Sequence, residues 1–80
     1  MSTGYTLTWH RVPGGGYVAE VPGRRYVVCR EFGAWVLEVF ATRESGEHAV
    51  STLVEGMTAR SMAEAKRLAG QHHRRASLGD

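Results

Sequence analysis

The residue types best suited to metal binding are four histidines and one cysteine, which are scattered along the chain. They are His10, Cys29, His48, His72 and His73. A structural zinc site needs paired cysteines or histidines at short spacings on both sides of a loop. Only His72 and His73 are adjacent, at the end of an expected helix where positive charge suits the helix dipole. We therefore predict no metal site.

Catalysis would need a nucleophile beside a base, or two carboxylates in a cleft. Cys29 lies in a run of valines and is predicted to be a small buried hydrophobe. Glu20 and Glu38 fall where strand alternation places solvated or cross-strand charges. The glycines at 14–16 join two strands, whereas a phosphate-binding loop leads into a helix. The sequence predicts a protein that is not an enzyme, with no cofactor and no small-molecule substrate.

Arginines interleaved with aromatic residues are the candidate binding residues. The set is Trp9, Arg11, Tyr17, Arg24, Arg25, Tyr26, Arg30 and Trp35. Guanidinium groups bind phosphates in a bidentate manner and stack on planar rings. A sheet that presents such a row can lie against nucleic acid. The alternative is a solvated sheet edge on which arginine blocks unwanted pairing, and Glu20, Glu31 and Glu38 on the same strands reduce the positive field.

Alternation of apolar and polar residues predicts the strands that position these side chains. The predicted strands cover residues 5–12, 17–21, 24–31, 35–42 and 48–55. Turns are expected at Pro13–Gly16, Pro22–Gly23 and Gly33, because proline fixes φ and glycine accepts positive φ. We expect a polar loop at residues 43–47, and Gly56 is expected to end the fifth strand.

The spacing of Ser61 and Glu64 predicts a capping box at the start of a helix. A narrow apolar stripe follows, made of Met62, Ala65, Leu68 and Ala69. The stripe fades at residues 70–72, so residues 73–80 are predicted to form a flexible tail after a single domain at residues 1–72. The expected class is α+β, an antiparallel β-meander of three to five strands packed on one C-terminal α-helix.

The length, the net charge and the cysteine count limit the class of protein. Eighty residues with a net charge of +2 suffice for one domain, and this slight charge permits nucleic-acid binding without requiring it. A single cysteine favours a reducing cytoplasm, and neither a secretion signal nor an apolar run of about 18 residues is visible. A slim helix cannot cover every ring, so we expect some aromatic residues to lie under it and others on an open sheet face. The rings considered are Tyr5, Trp9, Tyr17, Tyr26 and Phe40.

Two stretches carry family resemblances: Trp-Val-Leu-Glu-Val-Phe at residues 35–40, and Thr-Ala-Arg-Ser-Met-Ala-Glu-Ala-Lys-Arg-Leu-Ala at residues 58–69. Over residues 5–72 the chain resembles short proteins of actinobacteriophages and their hosts, which implies action on host proteins. Residues 35–69 resemble the arm-type DNA-binding domain of phage integrases, which implies a three-stranded sheet in the major groove. Where that family is rich in Lys and Arg, this hairpin carries glutamates at 38, 44, 47 and 55.

The sequence thus predicts a small cytoplasmic binding module of phage or actinobacterial origin. Its expected partner is another protein or a second copy, bound through an open sheet face or an edge strand, with Trp9 and Trp35 as anchors. The alternative is sheet-mediated DNA binding by Arg24, Arg25 and Arg30. A third class, a metal-dependent or thiol enzyme, would need a pocket that gathers Cys29 or two histidines.

Overall fold

The computed structural model describes residues 7–78, which form one antiparallel sheet of five strands and one C-terminal helix. The elements are β1 His10–Val12, β2 Gly16–Val21, β3 Arg24–Glu31, β4 Ala34–Ser45, β5 His48–Ala59 and α1 Met62–Leu78. The spatial order β1-β2-β3-β4-β5 follows the chain, so each strand pairs with its sequence neighbour. The predicted α+β meander is confirmed, with the sheet as the larger part.

Two ends of the sheet differ from the prediction. Strand β1 begins at His10, later than the expected start at Tyr5, which lies outside the described residues. Strand β5 continues through Gly56, which pairs with Glu38, and ends at Ala59. The expectation that Gly56 would end the strand was wrong, because backbone pairing with β4 holds this glycine in the sheet.

The polar loop expected at residues 43–47 is instead the tip of a long hairpin. Pairing of β4 with β5 continues through Arg43–Val50 to Ser45–His48, and only Gly46 and Glu47 form the turn. Gly46 has a φ of 64°, which fits the first central position of a type II′ turn. This arm projects past the Pro22–Gly23 turn and is solvated on both faces, so no apolar alternation marks it in the sequence.

One extra residue interrupts the β4–β5 pairing. Val39 pairs with Glu55 and Phe40 with Leu53, which leaves Val54 as a β-bulge. Because a bulge places two consecutive side chains opposite one partner, both Leu53 and Val54 lie near Phe40.

The helix begins with the predicted cap. The Glu64 amide donates to Ser61 Oγ at 3.1 Å, and Glu64 Oε1 accepts from the Arg60 amide at 2.7 Å. The helix then runs to Leu78, beyond the end of its apolar stripe. We placed residues 73–80 in a tail, whereas the helix includes residues 73–78 and buries His73 at 7% exposure. Polar contacts with β3 replace the apolar stripe in these last turns.

The core lies between α1 and strands β2–β5. Fully buried residues are Ala19, Tyr26, Val28, Leu37, Val39, Ala65 and Ala69. Ala65 and Ala69, the two alanines of the predicted helix stripe, are buried against the sheet. The backbone of the helix lies over β3, β4 and β5, side chains such as Lys66 reach β2, and β1 lies beyond the helix. Within residues 7–78, no helix has both the length and the apolar character needed to span a bilayer.

Candidate functional site

The sheet has two unlike surfaces, which we call the helix side and the open face. The helix side carries the core residues, and alternation along each strand sends the intervening side chains to the open face. Within residues 7–78 no element packs on the open face. An apolar patch lies there, formed by Val18, Val27, Val36, Phe40, Leu53 and Val54. Leu53 and Val54 are 53% and 56% exposed at the β5 edge.

Glutamates surround and interrupt this patch. By strand register, the open face carries four glutamates and one arginine, namely Glu20, Glu31, Glu38, Glu44 and Arg25. Arg25 Nε donates to Glu20 Oε2 at 3.0 Å, so its charge is already matched. Glu38 is half-buried between Val27 and Gly56, close to the centre of the face. The open face therefore combines an apolar patch with acidic side chains around it and, at Glu38, within it.

Cys29 belongs to the same face. Its thiol donates to Glu31 Oε2 at 3.6 Å, and the ligand atoms of Cys29, Glu31 and Glu38 lie within 4.8 Å of one another. Burial raises the pKa of the Cys29 thiol, and the negative charges of Glu31 and Glu38 raise it further. This arrangement keeps the thiol protonated and gives it the opposite of the positive surroundings that activate a nucleophilic cysteine.

A shallow concavity of about 410 Å³ lies where the hairpin arm leaves the sheet. Its lining residues include Glu20, Arg25, Thr42, Glu44 and Ser51. Both signs of charge are present, and polar and apolar atoms line the concavity about equally. The concavity adjoins the apolar patch through Arg25 and Phe40, which are paired neighbours on β3 and β4.

The structure places seven of the eight predicted binding residues on the helix side. They are Trp9, Arg11, Tyr17, Arg24, Tyr26, Arg30 and Trp35. Trp9 and Trp35, the expected anchors, are half-buried on the helix side, where both pack against the core. Of the rings considered, Phe40 alone among the described residues lies on the open face.

The three arginines proposed for DNA contact do not form one row. Arg24 and Arg30 lie on the helix side near opposite ends of β3, and Arg25 lies on the open face. Arg30 sits 5.4 Å from the centre of the Trp35 ring and donates to the Gly33 carbonyl oxygen at 3.3 Å. A surface that uses all three arginines together is therefore absent from residues 7–78.

A different basic and aromatic surface lies beside the helix over β1 and β2. Lys66 Nζ lies 4.1 Å from the centre of the Tyr17 ring and 5.7 Å from that of Trp9. Both rings are half-buried, and Arg11 is exposed next to Tyr17 on the same side of the sheet. Three of the predicted residues, Trp9, Arg11 and Tyr17, thus meet a lysine that sequence reasoning did not select.

A polar network joins the end of the helix to β3. Arg24 Nε donates to the Tyr26 hydroxyl at 3.0 Å, and this hydroxyl lies 2.9 Å from His72 Nδ1. Glu55 Oε1, which can only accept, lies 3.5 Å from His72 Nε2, so in the neutral ring the proton is on Nε2 and Nδ1 accepts from the Tyr26 hydroxyl. Arg24 therefore donates to Tyr26 and Tyr26 donates to His72, whose other ring nitrogen faces Glu55.

The second histidine closes the network around Arg24. Arg24 Nη2 lies 3.1 Å from His73 Nδ1, and Ser77 Oγ lies 3.5 Å from the same nitrogen. Since guanidinium only donates, Nδ1 of His73 accepts and its ring proton is on Nε2. The two adjacent histidines thus have different partners: His73 binds Arg24, and His72 contacts Tyr26 and Glu55.

Burial controls the protonation of this network. It lowers the pKa of His72, and the charges of Arg24 and Arg75 lower it further against the opposing effect of Glu55. Burial also raises the pKa of Tyr26, which its hydrogen bond from Arg24 partly offsets. These shifts favour the neutral form of His72 and the protonated form of Tyr26.

Phe32 was missed by sequence reasoning. It is fully exposed, at 105%, and has a φ of 53°, next to Gly33 with a φ of 82°. Two positive φ values define a type I′ hairpin turn, whose first position favours Asn, Asp or Gly. A phenylalanine there is both strained and solvated, and such outliers cluster at binding sites. The Phe-Gly pair between two strands was the available signal.

Comparisons with known proteins give this chain no relatives. No family model, no curated protein and no solved structure matches it.

Proposed function

We propose that this chain is a non-enzymatic protein-interaction module whose binding surface is the open face together with the adjoining β5 edge. The observation that carries the proposal is the apolar patch, which extends from Val27 and Val36, around Glu38, to Phe40 and the exposed Leu53 and Val54. Water in contact with such a surface costs about 25 cal/mol per Å², which a partner would recover.

The acidic surroundings of the patch specify the chemistry of the partner. Glu31, Glu38 and Glu44 have no arginine opposite them on this face, since the only open-face arginine among the described residues pairs with Glu20. Burial of Glu38 without a cation would be costly. The partner we propose presents apolar side chains with lysines or arginines among and around them.

A second copy of the chain fits this surface poorly. Two open faces stacked together would oppose four glutamates with four glutamates, and like charges across an interface cost free energy. The outer surface of the helix is basic but lacks apolar residues, with Arg67, Gln71 and Arg74 in its exposed stripe. We therefore favour a partner of different sequence over self-association.

The apolar patch alone is smaller than a stable interface requires, so the proposed binding surface includes the β5 edge. Four to five strands about 4.8 Å apart and about five residues of apolar length give a patch of roughly 400 Å². Stable interfaces use about 800 Å² per partner. β5 offers the missing contact, because it is a 12-residue edge strand without lysine or proline, the residues that usually protect edges.

Hairpin geometry identifies the free backbone groups of this edge. The pair that flanks a two-residue turn exchanges hydrogen bonds, and such pairs then alternate along the ladder. From Ser45–His48 onward, this leaves the amides of Ala49, Ser51 and Leu53 directed away from β4. A strand of the partner can add at these three positions while its side chains reach the patch.

Site-specific photocrosslinking tests the proposal. Benzoylphenylalanine is placed at Ser51 or Thr58 on the open face and, as a control, at Gln71 on the outer helix surface, and each variant is irradiated in lysate of the source cells. We expect one basic protein to crosslink from Ser51 and Thr58 but not from Gln71. Leu53→Arg should abolish both crosslinks, and Ser51→Pro should weaken binding where Ser51→Ala does not. Crosslinks from Gln71 alone would contradict the proposal.

A further inference from the structure

The charges of the chain are separated between its two sides. The helix side and the helix together carry eight basic and two acidic residues, against one basic and four acidic on the open face. The basic residues are Arg11, Arg24, Arg30, Arg43, Lys66, Arg67, Arg74 and Arg75, and the acidic ones are Glu55 and Glu64. The net charge of +2 conceals this polarity.

Salt screening makes the basic side independent of the acidic one. The smallest dimension of the molecule is 20 Å, which is more than twice the screening length of about 8 Å at physiological ionic strength. A polyanion on the helix side is therefore attracted by the basic residues without strong repulsion from the open-face glutamates.

Gly70 marks one flank of this basic side. It lies one helical turn after Lys66 and one turn before Arg74, so the three residues form a row that turns from the flank beside Tyr17 toward the exposed outer surface of α1. A glycine in a helix interior costs up to about 1 kcal/mol relative to alanine. No packing demands it here, because a Cβ on Gly70 would meet no atom within 4 Å. The glycine instead leaves room for a ligand chain to pass between two cations.

The rings beside this row supply a second kind of contact. Trp9 and Tyr17 lie below Lys66, and Arg11 is exposed at the outer side of Tyr17. The helix backbone lies over β3–β5 and covers β2 only in part, since Ala19 is buried there while Tyr17 is half-buried, so this surface forms a step between the helix flank and the sheet. Half-buried rings next to cations are the arrangement on which nucleobases stack while phosphates bind the cations.

We infer that this surface, formed by Trp9, Arg11, Tyr17, Lys66, Gly70 and Arg74, binds single-stranded nucleic acid. A base replaces Lys66 on the Tyr17 ring, and the freed ammonium group moves to a phosphate. Arg11 and Arg74 bind phosphates on either side, and the backbone passes over Gly70. Single strands fit better than duplex, whose bases are already stacked and cannot lie on the rings.

The same residues disfavour other anionic partners. None of the exposed large apolar side chains among the described residues lies on the outer helix surface, and membrane binding requires apolar groups that enter the lipid. An acidic peptide would use the cations but would gain nothing from the Trp9 and Tyr17 rings. Stacking on the rings is therefore what distinguishes nucleic acid from a carboxylate polymer of similar charge.

Fluorescence anisotropy with a labelled 15-nucleotide oligothymidylate tests the inference on the full chain. Three phosphate contacts give a salt slope near −2, so affinity should fall about twentyfold between 50 and 200 mM NaCl. Lys66→Gln and Arg74→Gln should each weaken binding and reduce the slope by about 0.7. Arg25→Gln removes the same charge from the open face and should leave both the affinity and the salt slope unchanged.

Two further variants separate stacking and close approach from charge. Tyr17→Leu should weaken binding at least about fivefold without changing the salt slope. Gly70→Ala should raise the denaturation midpoint yet weaken binding, which a purely structural role would not produce. Leu53→Arg, which blocks the proposed protein-binding surface, should bind the oligonucleotide as the wild type does, so the two proposals fail independently.

Several results would overturn the inference. They are no binding at 50 mM NaCl, equal losses in Lys66→Gln and Arg25→Gln, or equal affinity for polyglutamate and oligothymidylate. Preference for vesicles of phosphatidylcholine and phosphatidylserine over the oligonucleotide would assign the basic side to membranes instead.

Discussion

The hydroxyl of Tyr26 lies 2.9 Å from Nδ1 of His72, which ties the middle strand of the sheet to the last turns of the helix. Arg24 donates to the same hydroxyl at 3.0 Å, so one phenol oxygen joins two elements and a charged group. This contact explains how a helix whose apolar stripe fades at residues 70–72 stays attached through Leu78.

Removal of this hydroxyl should destabilise the fold. Tyr26→Phe keeps the buried ring but leaves Arg24 and His72 without their shared partner, and we expect a loss of about 1–2 kcal/mol. Urea denaturation at pH 7.5 measures it. Tyr17→Phe removes a hydroxyl outside this network and serves as the control. Equal effects from both variants would show that the Tyr26 network does not hold the helix end.

The lowered pKa of His72 predicts a loss of stability in acid. The unfolded chain binds a proton at His72 near pH 6.5, whereas the folded chain binds it only at lower pH. Stability is therefore complete above pH 6.5 and declines as the pH falls toward the folded pKa. Protonation also removes the lone pair that accepts from Tyr26.

Urea midpoints at pH 5 and pH 7.5 test this prediction. The wild type should be less stable at pH 5, and His72→Gln should reduce the difference between the two midpoints. His48→Gln, in the exposed hairpin arm, should leave the difference unchanged. The prediction is contradicted if the wild type is more stable at pH 5 than at pH 7.5 and His72→Gln removes this difference, because folding would then raise the pKa of His72.

Phe32 should cost stability where it stands. Its left-handed conformation is unfavourable for a bulky residue, and at 105% exposure the ring gains nothing from packing. Phe32→Asn should raise the free energy of unfolding by about 1 kcal/mol, because asparagine accepts this conformation. Phe32→Ala removes the ring but keeps the strain, so it should change stability little. Destabilisation by Phe32→Asn would show that the ring has a packing role.

Most of the fold was predictable because strand alternation, turns and the helix cap depend on residues that are close together in the sequence. Alternation on β3 assigned Tyr26 and Val28 to one face and Val27 and Cys29 to the other, as found. The Pro22–Gly23 turn and the Ser61–Glu64 cap depend on neighbouring residues only, and both were predictable. The hairpin arm was not, since its strands pair with each other in solvent and bury nothing.

The sides on which the candidate residues lie could not be derived from the sequence. Alternation shows that Trp35 and Leu37 share a face, but not that α1 covers that face. The contact between Lys66 and Tyr17 joins residues far apart in the chain. The charge separation between the two sides has the same origin, because it appears only once the helix has been placed.

Cys29 should react slowly with alkylating reagents. Burial and the charges of Glu31 and Glu38 raise its pKa, which lowers the thiolate fraction at any given pH. At pH 8, iodoacetamide should modify Cys29 more slowly than the thiol of the urea-unfolded chain. Glu31→Gln should accelerate the reaction, whereas Glu44→Gln, on the hairpin arm, should not. Mass spectrometry follows the modification, and a rate in the folded chain above that of the unfolded chain would contradict the pKa argument.

The half-buried Glu38 should keep the apolar patch from joining two copies of the chain. It stands between Val27 and Gly56, and its carboxylate must remain in water or meet a cation. We expect the wild type to be a monomer in light scattering at 50 mM NaCl.

Replacement of Glu38 by an apolar residue should release that restraint. Glu38→Val removes one of the four opposed charges and makes the patch continuous, so we expect concentration-dependent dimers. Glu47→Val makes the same charge change in the β4–β5 turn, away from the patch, and should remain a monomer. If the wild type already forms dimers that Glu38→Val does not strengthen, glutamate repulsion does not govern this face, and a second copy becomes the better partner for the patch.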